Sequence, residues 1–130
     1  MKTLIVEDDF TSRLLLQEIL KRYGALHVAV NGREAVEAVR IAMDEGEPYD
    51  LVCLDIMMPE MDGHQALKEI RAMEESRSAM ACDGAKVFMT SALDRAKDVS
   101  RAFHGLCDAY LVKPIEKAKL LEQLQAFKLV

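Results

Sequence analysis

Five short apolar runs alternate with stretches of helical periodicity along the whole chain, and this alternation restricts the possible folds more than any other feature. The runs fall at 2–7, 25–30, 50–55, 85–90 and 108–112, each about as long as a strand. Between them apolar residues recur at helical spacing. Leu15, Leu16, Ile19 and Leu20 mark a first helix, and Ala35, Val36, Val39 and Met43 a second. Ala66, Leu67, Ile70 and Met73 mark a third, Val99, Ala102, Phe103 and Leu106 a fourth, and Leu120, Leu121, Leu124 and Phe127 a fifth. Strands that are always separated by a helix predict an α/β fold, (βα)5, with a doubly wound parallel five-stranded sheet covered by helices on both faces.

Local signals support this reading. Asn31 with Glu34, and Asp62 with Gln65, have capping-box spacing at the starts of the second and third helices, and Asp9 reads as the N-cap of the first. The runs TLIV and LVCL are continuously apolar, as in central strands buried on both faces. LHVAV alternates, with Leu26, Val28 and Val30 on one side, the pattern of a half-exposed edge strand. The stretch from about Ser76 to Ala85 reads as a surface loop. No linker, repeat or second domain interrupts 1–130, which reads as one domain with no output domain attached.

Composition removes several function classes. A net charge of −5 with no Lys/Arg-rich stretch argues against direct nucleic-acid binding. No apolar stretch is long enough to span a bilayer and no signal peptide is visible, so a cytoplasmic protein without membrane contact is expected. Cys53, Cys82 and Cys107 are an odd set at wide spacing, which fits reduced thiols better than a disulfide or metal pair. His27, His64 and His104 share no ligand spacing and read as exposed or edge residues. Most of the eight methionines lie in apolar stripes, whereas Met57, Met58 and Met61 lie in one loop and could offer a soft partner surface.

The chemistry is concentrated where the strands stop. The first run ends in Glu7-Asp8-Asp9, the third in Asp55, the fourth in Thr90-Ser91 and the fifth in Lys113-Pro114. In open parallel sheets ligands bind beyond the carboxyl ends of the strands, so these groups are predicted to meet at one edge. Several carboxylates crowded together repel one another unless a cation joins them. An all-oxygen set suits Mg²⁺ or Mn²⁺. A hydroxyl and a lysine around the same point would bind phosphoryl oxygens. A carboxylate held ionised between them can attack phosphorus and become an aspartyl phosphate.

Four motifs in order, IVEDD at 5–9, DIMMPEMDG at 55–63, MTSA at 89–92 and YLVKP at 110–114, make the chain resemble a response-regulator receiver domain of two-component signalling, of the chemotaxis-receiver type. The resemblance covers the whole chain. It implies the flavodoxin-like strand order 2-1-3-4-5. It also implies a phosphoacceptor at Asp55, a metal held by Asp8, Asp55 and the backbone carbonyl of Met57, and Glu7 acting through water. Ser91 matches the hydroxyl that contacts the phosphoryl group, with Ala92 after it favouring Ser91 over Thr90. Lys113 matches the lysine paired with phosphoryl oxygen, Tyr110 the aromatic switch, and Pro114 the residue after a cis peptide bond. Met57 and Leu93 fall at positions that tune dephosphorylation, and both are apolar here, as in longer-lived phospho-forms.

The implied function is that of a stand-alone phosphorylation switch, not an enzyme, although it takes part in its own phosphorylation and slow self-dephosphorylation. A histidine kinase or phosphotransfer protein would supply the phosphoryl group. A downstream effector protein would read the face formed by the fourth helix, fifth strand and fifth helix, and the chain would be a monomer or weak homodimer. Onward transfer in a phosphorelay is an alternative within the family. A Mg²⁺-dependent aspartate-nucleophile phosphohydrolase would want a second acid at position 57, which is Met. An FMN carrier would want a Ser/Thr/Gly-rich loop after the first strand, where this chain has EDDF.

Overall fold

In a computed structural model, which describes residues 1–58, 61–77, 84–92 and 107–130, each predicted strand forms and all of them join one sheet. The strands are β1 (Thr3–Val6), β2 (Leu26–Ala29), β3 (Leu51–Asp55), β4 (Lys86–Ala92) and β5 (Ala109–Lys113). They pair in the order β2-β1-β3-β4-β5, parallel throughout. The described helices are α1 (Phe10–Leu20), followed by a 3-10 turn at Lys21–Tyr23, α2 (Gly32–Asp44), α3 (Gly63–Arg77) and α4 (Lys117–Ala126). The predicted fourth helix around Val99, Ala102, Phe103 and Leu106 lies outside the described residues, as do Leu93, His104 and Cys82. The fifth predicted helix is α4.

The alternating sides of each strand build two cores. On one side Leu4, Val6, Val52, Leu54, Val87 and Met89 pack against α2 and α3. On the other, Ile5, Cys53, Phe88 and Leu111 pack against α1 and α4 through Leu16, Leu20, Leu120 and Leu124. Every residue of β1 and β3 is buried, which is why those two runs are apolar without alternation. Truncating one such residue, for example Leu54→Ala, removes contacts that cost about 2–5 kcal/mol to lose.

Caps fix where the helices begin. Asp9 accepts a hydrogen bond from the Ser12 backbone N–H at 2.9 Å, and Asn31 accepts from Glu34 N–H at 2.8 Å. The Glu34 carboxylate reaches back to the N–H of Val30, one residue before the cap, rather than to Asn31 itself. Asp62 caps α3 by accepting from Gln65 N–H.

The structure refines three expectations. Helix α3 runs through Ser76 and Arg77 instead of ending before them, because the Ser76 hydroxyl bonds the Met73 carbonyl and Arg77 pairs with Asp44 of α2. Strand β2 is the sheet edge as predicted, yet Val28 and Val30 are each 39% exposed, and Ala29 is the residue buried against Ala35 and Val39 of α2. Strand β4 continues past Thr90 to Ala92, so Ser91 lies within the strand and not beyond it.

Candidate functional site

Two central strands deliver the acids. Glu7 immediately follows β1 and Asp55 is the last residue of β3, and both are buried, while Asp8 is exposed beside them. One carboxylate oxygen from each of Glu7, Asp8 and Asp55 lies within 4.8 Å of the others. Lys113, at the end of β5, brings its ammonium Nζ to 2.6 Å from Glu7 Oε1 and 3.4 Å from Asp55 Oδ1. Asp55 Oδ1 also accepts from the Met57 N–H at 3.3 Å, and Glu7 Oε2 from the Asp9 N–H at 3.2 Å.

Two of the three carboxylates, Glu7 and Asp55, therefore share one ammonium. Burial, and then the neighbouring Glu7 carboxylate, push the Asp55 carboxyl up to about 7, against the pull of Lys113 and the Met57 N–H. Burial works to lower the Lys113 ammonium, but Glu7 and Asp55 outweigh it and hold it above the ordinary lysine value. Glu7 Oε1 is buried and completes no well-aligned hydrogen bond among the described residues, even with the ammonium close by. An all-carboxylate set, faced by one ammonium and open to solvent at Asp8, fits a hard divalent cation such as Mg²⁺. Asp9 stands apart: it is exposed, and the Ser12 N–H holds its carboxyl below the ordinary value, as befits a cap.

Residues 3–125 match the response regulator receiver domain family. This chain belongs to that family. The chemotaxis protein CheY of Listeria monocytogenes is 37% identical over 127 residues, covering 96% of each chain. The probable histidine kinase 4 of Oryza sativa subsp. japonica is 32% identical over 139 residues, which is 95% of this chain but only 13% of that protein's length. Among solved structures, the CheX–CheY–BeF3–Mg²⁺ complex of Borrelia burgdorferi superposes with a TM-score of 0.77 at 28% identity, covering 98% of this chain and 89% of that one. That structure includes magnesium, and the receiver domain here offers the acidic cluster described above.

The receiver domain places its remaining predicted residues on two sides of the sheet. Tyr110 packs with Val87 and Met89 in the α2–α3 core, and strand alternation puts Ser91 on the same side. Neither points to the side where Glu7, Asp55 and Lys113 meet. The Ser91 hydroxyl donates to the Ala92 carbonyl at 3.1 Å. The Tyr110 hydroxyl oxygen is buried and finds no hydrogen-bond partner among the described residues; burial pushes the phenol up to about 12, with nearby Ser91 countering in part. The peptide bond from Lys113 to Pro114 is cis. The Met57 side chain is half exposed two residues beyond Asp55, and His64 is half-buried in the first turn of α3 rather than exposed. Among the described residues no helix is long and apolar enough to cross a membrane.

One functional position escaped the sequence reading. A Cβ on Gly63 would sit 2.4 Å from the Asp55 backbone oxygen and 2.8 Å from the Ile56 Cα. Only glycine lets α3 start against the Asp55 peptide, and the Gly63 N–H donates to Ile56 O at 3.0 Å. The visible signal was a glycine at the exit of DIMMPEMDG, directly before a helical stripe.

Proposed function

We propose that this receiver domain is a phosphorylation switch that takes a phosphoryl group onto Asp55 from a histidine kinase or phosphotransfer protein. The observation that carries this reading is the Asp55 carboxylate, grouped with Glu7 and Asp8 within 4.8 Å and faced by the Lys113 ammonium at 3.4 Å. Asp8, Asp55 and the Met57 carbonyl would hold Mg²⁺ (or Mn²⁺), with Glu7 acting through water. The bound cation supplies charge neutralisation for the transferring group. One Asp55 carboxylate oxygen attacks phosphorus; an O–P bond forms as the P–N bond of the phosphoimidazole breaks, and the imidazole leaves with the electron pair. Lys113 is already poised over Asp55, and its ammonium pairs with a phosphoryl oxygen.

The switch then works through the opposite side of β4. Reaching over the carboxyl end of β4 from that side, the Ser91 hydroxyl would exchange its weak local bond to the Ala92 carbonyl for a charged phosphoryl oxygen, a stronger partner. Tyr110, whose hydroxyl lacks a partner among the described residues, follows Ser91 within the α2–α3 core. This shifts a two-state equilibrium at β5 and its flanking helices that a downstream effector protein reads. Onward transfer to a phosphotransfer protein uses the same acceptor. The phosphohydrolase reading loses ground because the residue two beyond Asp55 is a half-exposed methionine with no acid to donate.

Incubation with Mg²⁺ and acetyl phosphate, read by intact mass, tests the proposal. The chain is expected to gain one phosphoryl group and Asp55→Asn none. A gain that persists in Asp55→Asn overturns it.

A further inference from the structure

Strand β4 carries two adjacent hydroxyls at its end, and the structure sorts them to different sides of the sheet. Phe88 packs on the α1–α4 side with Ile5, Cys53 and Leu111, whereas Val87 and Met89 pack on the α2–α3 side. Alternation then puts Thr90 with Phe88. That is the side on which Glu7, Asp55 and Lys113 meet. The register is equally specific: Thr90 pairs with Asp55 of β3 and with Leu111 of β5. One residue beyond the last β1–β3 pair, Val6 with Leu54, Glu7 falls level with Asp55. Glu7, Asp55 and Thr90 thus form a row across three neighbouring strands. Lys113, two residues beyond Leu111 on the same side, must pass over Thr90 to reach Asp55 at 3.4 Å and Glu7 at 2.6 Å.

Thr90 is 1% exposed, and among the described residues the partners of Asp55 are the Met57 N–H and Lys113, not the Thr90 hydroxyl. The neighbour of Thr90 across the strands is thus an acceptor-rich carboxylate whose known donors both converge on Oδ1. Asp55 Oδ2 is left without a donor among them.

We propose that Thr90 is a positioning residue of the acceptor site, its hydroxyl turning to donate to the Asp55 carboxylate when cation and phosphodonor occupy the cleft, and holding it for attack on phosphorus. The inference rests on Asp55 being the phosphoacceptor. It separates the two hydroxyls of β4: Thr90 aligns the nucleophile before transfer, and Ser91 responds after it.

Two substitutions pull hydroxyl and shape apart. Thr90→Val keeps the β-branched shape and loses the hydroxyl; Thr90→Ser keeps the hydroxyl and loses the methyl. Phosphoryl uptake from acetyl phosphate with Mg²⁺ is expected to slow about tenfold in Thr90→Val, the equivalent of one hydrogen bond to a charged group. Thr90→Ser is expected to restore uptake to within about twofold of the parent chain. Calorimetric titration with beryllofluoride and Mg²⁺, which needs no turnover, should rank the three chains in the same order. A packing role predicts the reverse ranking, with serine the damaged variant, and that result overturns the inference. Uptake by Thr90→Val at the parent rate overturns it as well while leaving Asp55 as acceptor. A parent chain that gains no phosphoryl group overturns the acceptor reading and this inference together.

Discussion

At the amino end of the sheet, the Arg71 guanidinium lies 2.7 Å from Glu74 and 3.0 Å from Asp108 and also donates to the Ala85 carbonyl at 2.8 Å. Both acids have further donors there: the Ala85 N–H at 2.7 Å for Glu74 and the Val87 N–H at 2.8 Å for Asp108. At the carboxyl end, three carboxylates crowd together, two of them sharing one ammonium, and Glu7 Oε1 remains short of a well-aligned donor. The same residue types therefore serve two purposes. Where backbone donors and a forked cation satisfy both Glu74 oxygens and Asp108 Oδ2, charge ties α3 to the starts of β4 and β5. Where acids outnumber donors, the fold holds a repulsion that a bound cation would relieve.

Breaking each end should give opposite phenotypes. Arg71→Ala leaves Glu74 and Asp108 without their cation and should cost about 3–5 kcal/mol in urea denaturation, with phosphoryl uptake retained. Retained stability there, or lost uptake, would erase the contrast. Lowering pH sharpens it. A carboxyl raised from 3.8 to about 7 on folding favours the protonated form, so its stabilising contribution is complete below about pH 4 and lost as pH rises through about 7. Without metal, the parent chain should thus lose on the order of 2–4 kcal/mol relative to Asp55→Asn between pH 4 and pH 8, at about 1.4 kcal/mol per pKa unit. Millimolar Mg²⁺ should reduce that loss; denaturation curves across pH with and without the metal decide it.

A smaller effect is expected from Lys113→Ala, which removes the only cation facing Asp55 among the described residues. Uptake from acetyl phosphate should fall about 100-fold, as when one oriented transition-state donor is deleted. Asp9→Ala tests an acid beside the cluster that serves as a cap. It should lower stability by about 1 kcal/mol and leave uptake unchanged, and a loss of uptake would place Asp9 in the cluster after all.

How much of this was readable in the chain depended on how local the cause was. β1 and β3 were legible because burial on both faces writes an unbroken apolar run, and an acid ending such a run is conspicuous. Asp9, Asn31 and Asp62 were legible because a cap acts within three residues. The last turn of α3 was not, since Glu74, Glu75, Ser76 and Arg77 carry no apolar period and are held by α2 and by Ala85. β2 was legible as an edge, but alternation marks two sides without saying which one a helix covers. The different sides taken by Thr90 and Ser91 depend on the register of β4 against β3, a pairing between distant segments. Arg71 and Asp108 lie 37 residues apart, and no local pattern joins them.

The central claim is that the surplus of acids at the carboxyl end serves covalent chemistry at one atom pair, the carboxylate of Asp55. Its most direct test is to locate the phosphoryl group. Treating the phosphorylated chain with borohydride reduces an acyl phosphate to homoserine, and fragment masses of the peptide carrying residues 51–58 then show which residue changed. The account predicts homoserine at position 55 alone. Conversion at Asp8 or Glu7, or a phosphoryl group that resists borohydride because it sits on a hydroxyl or imidazole, would contradict it.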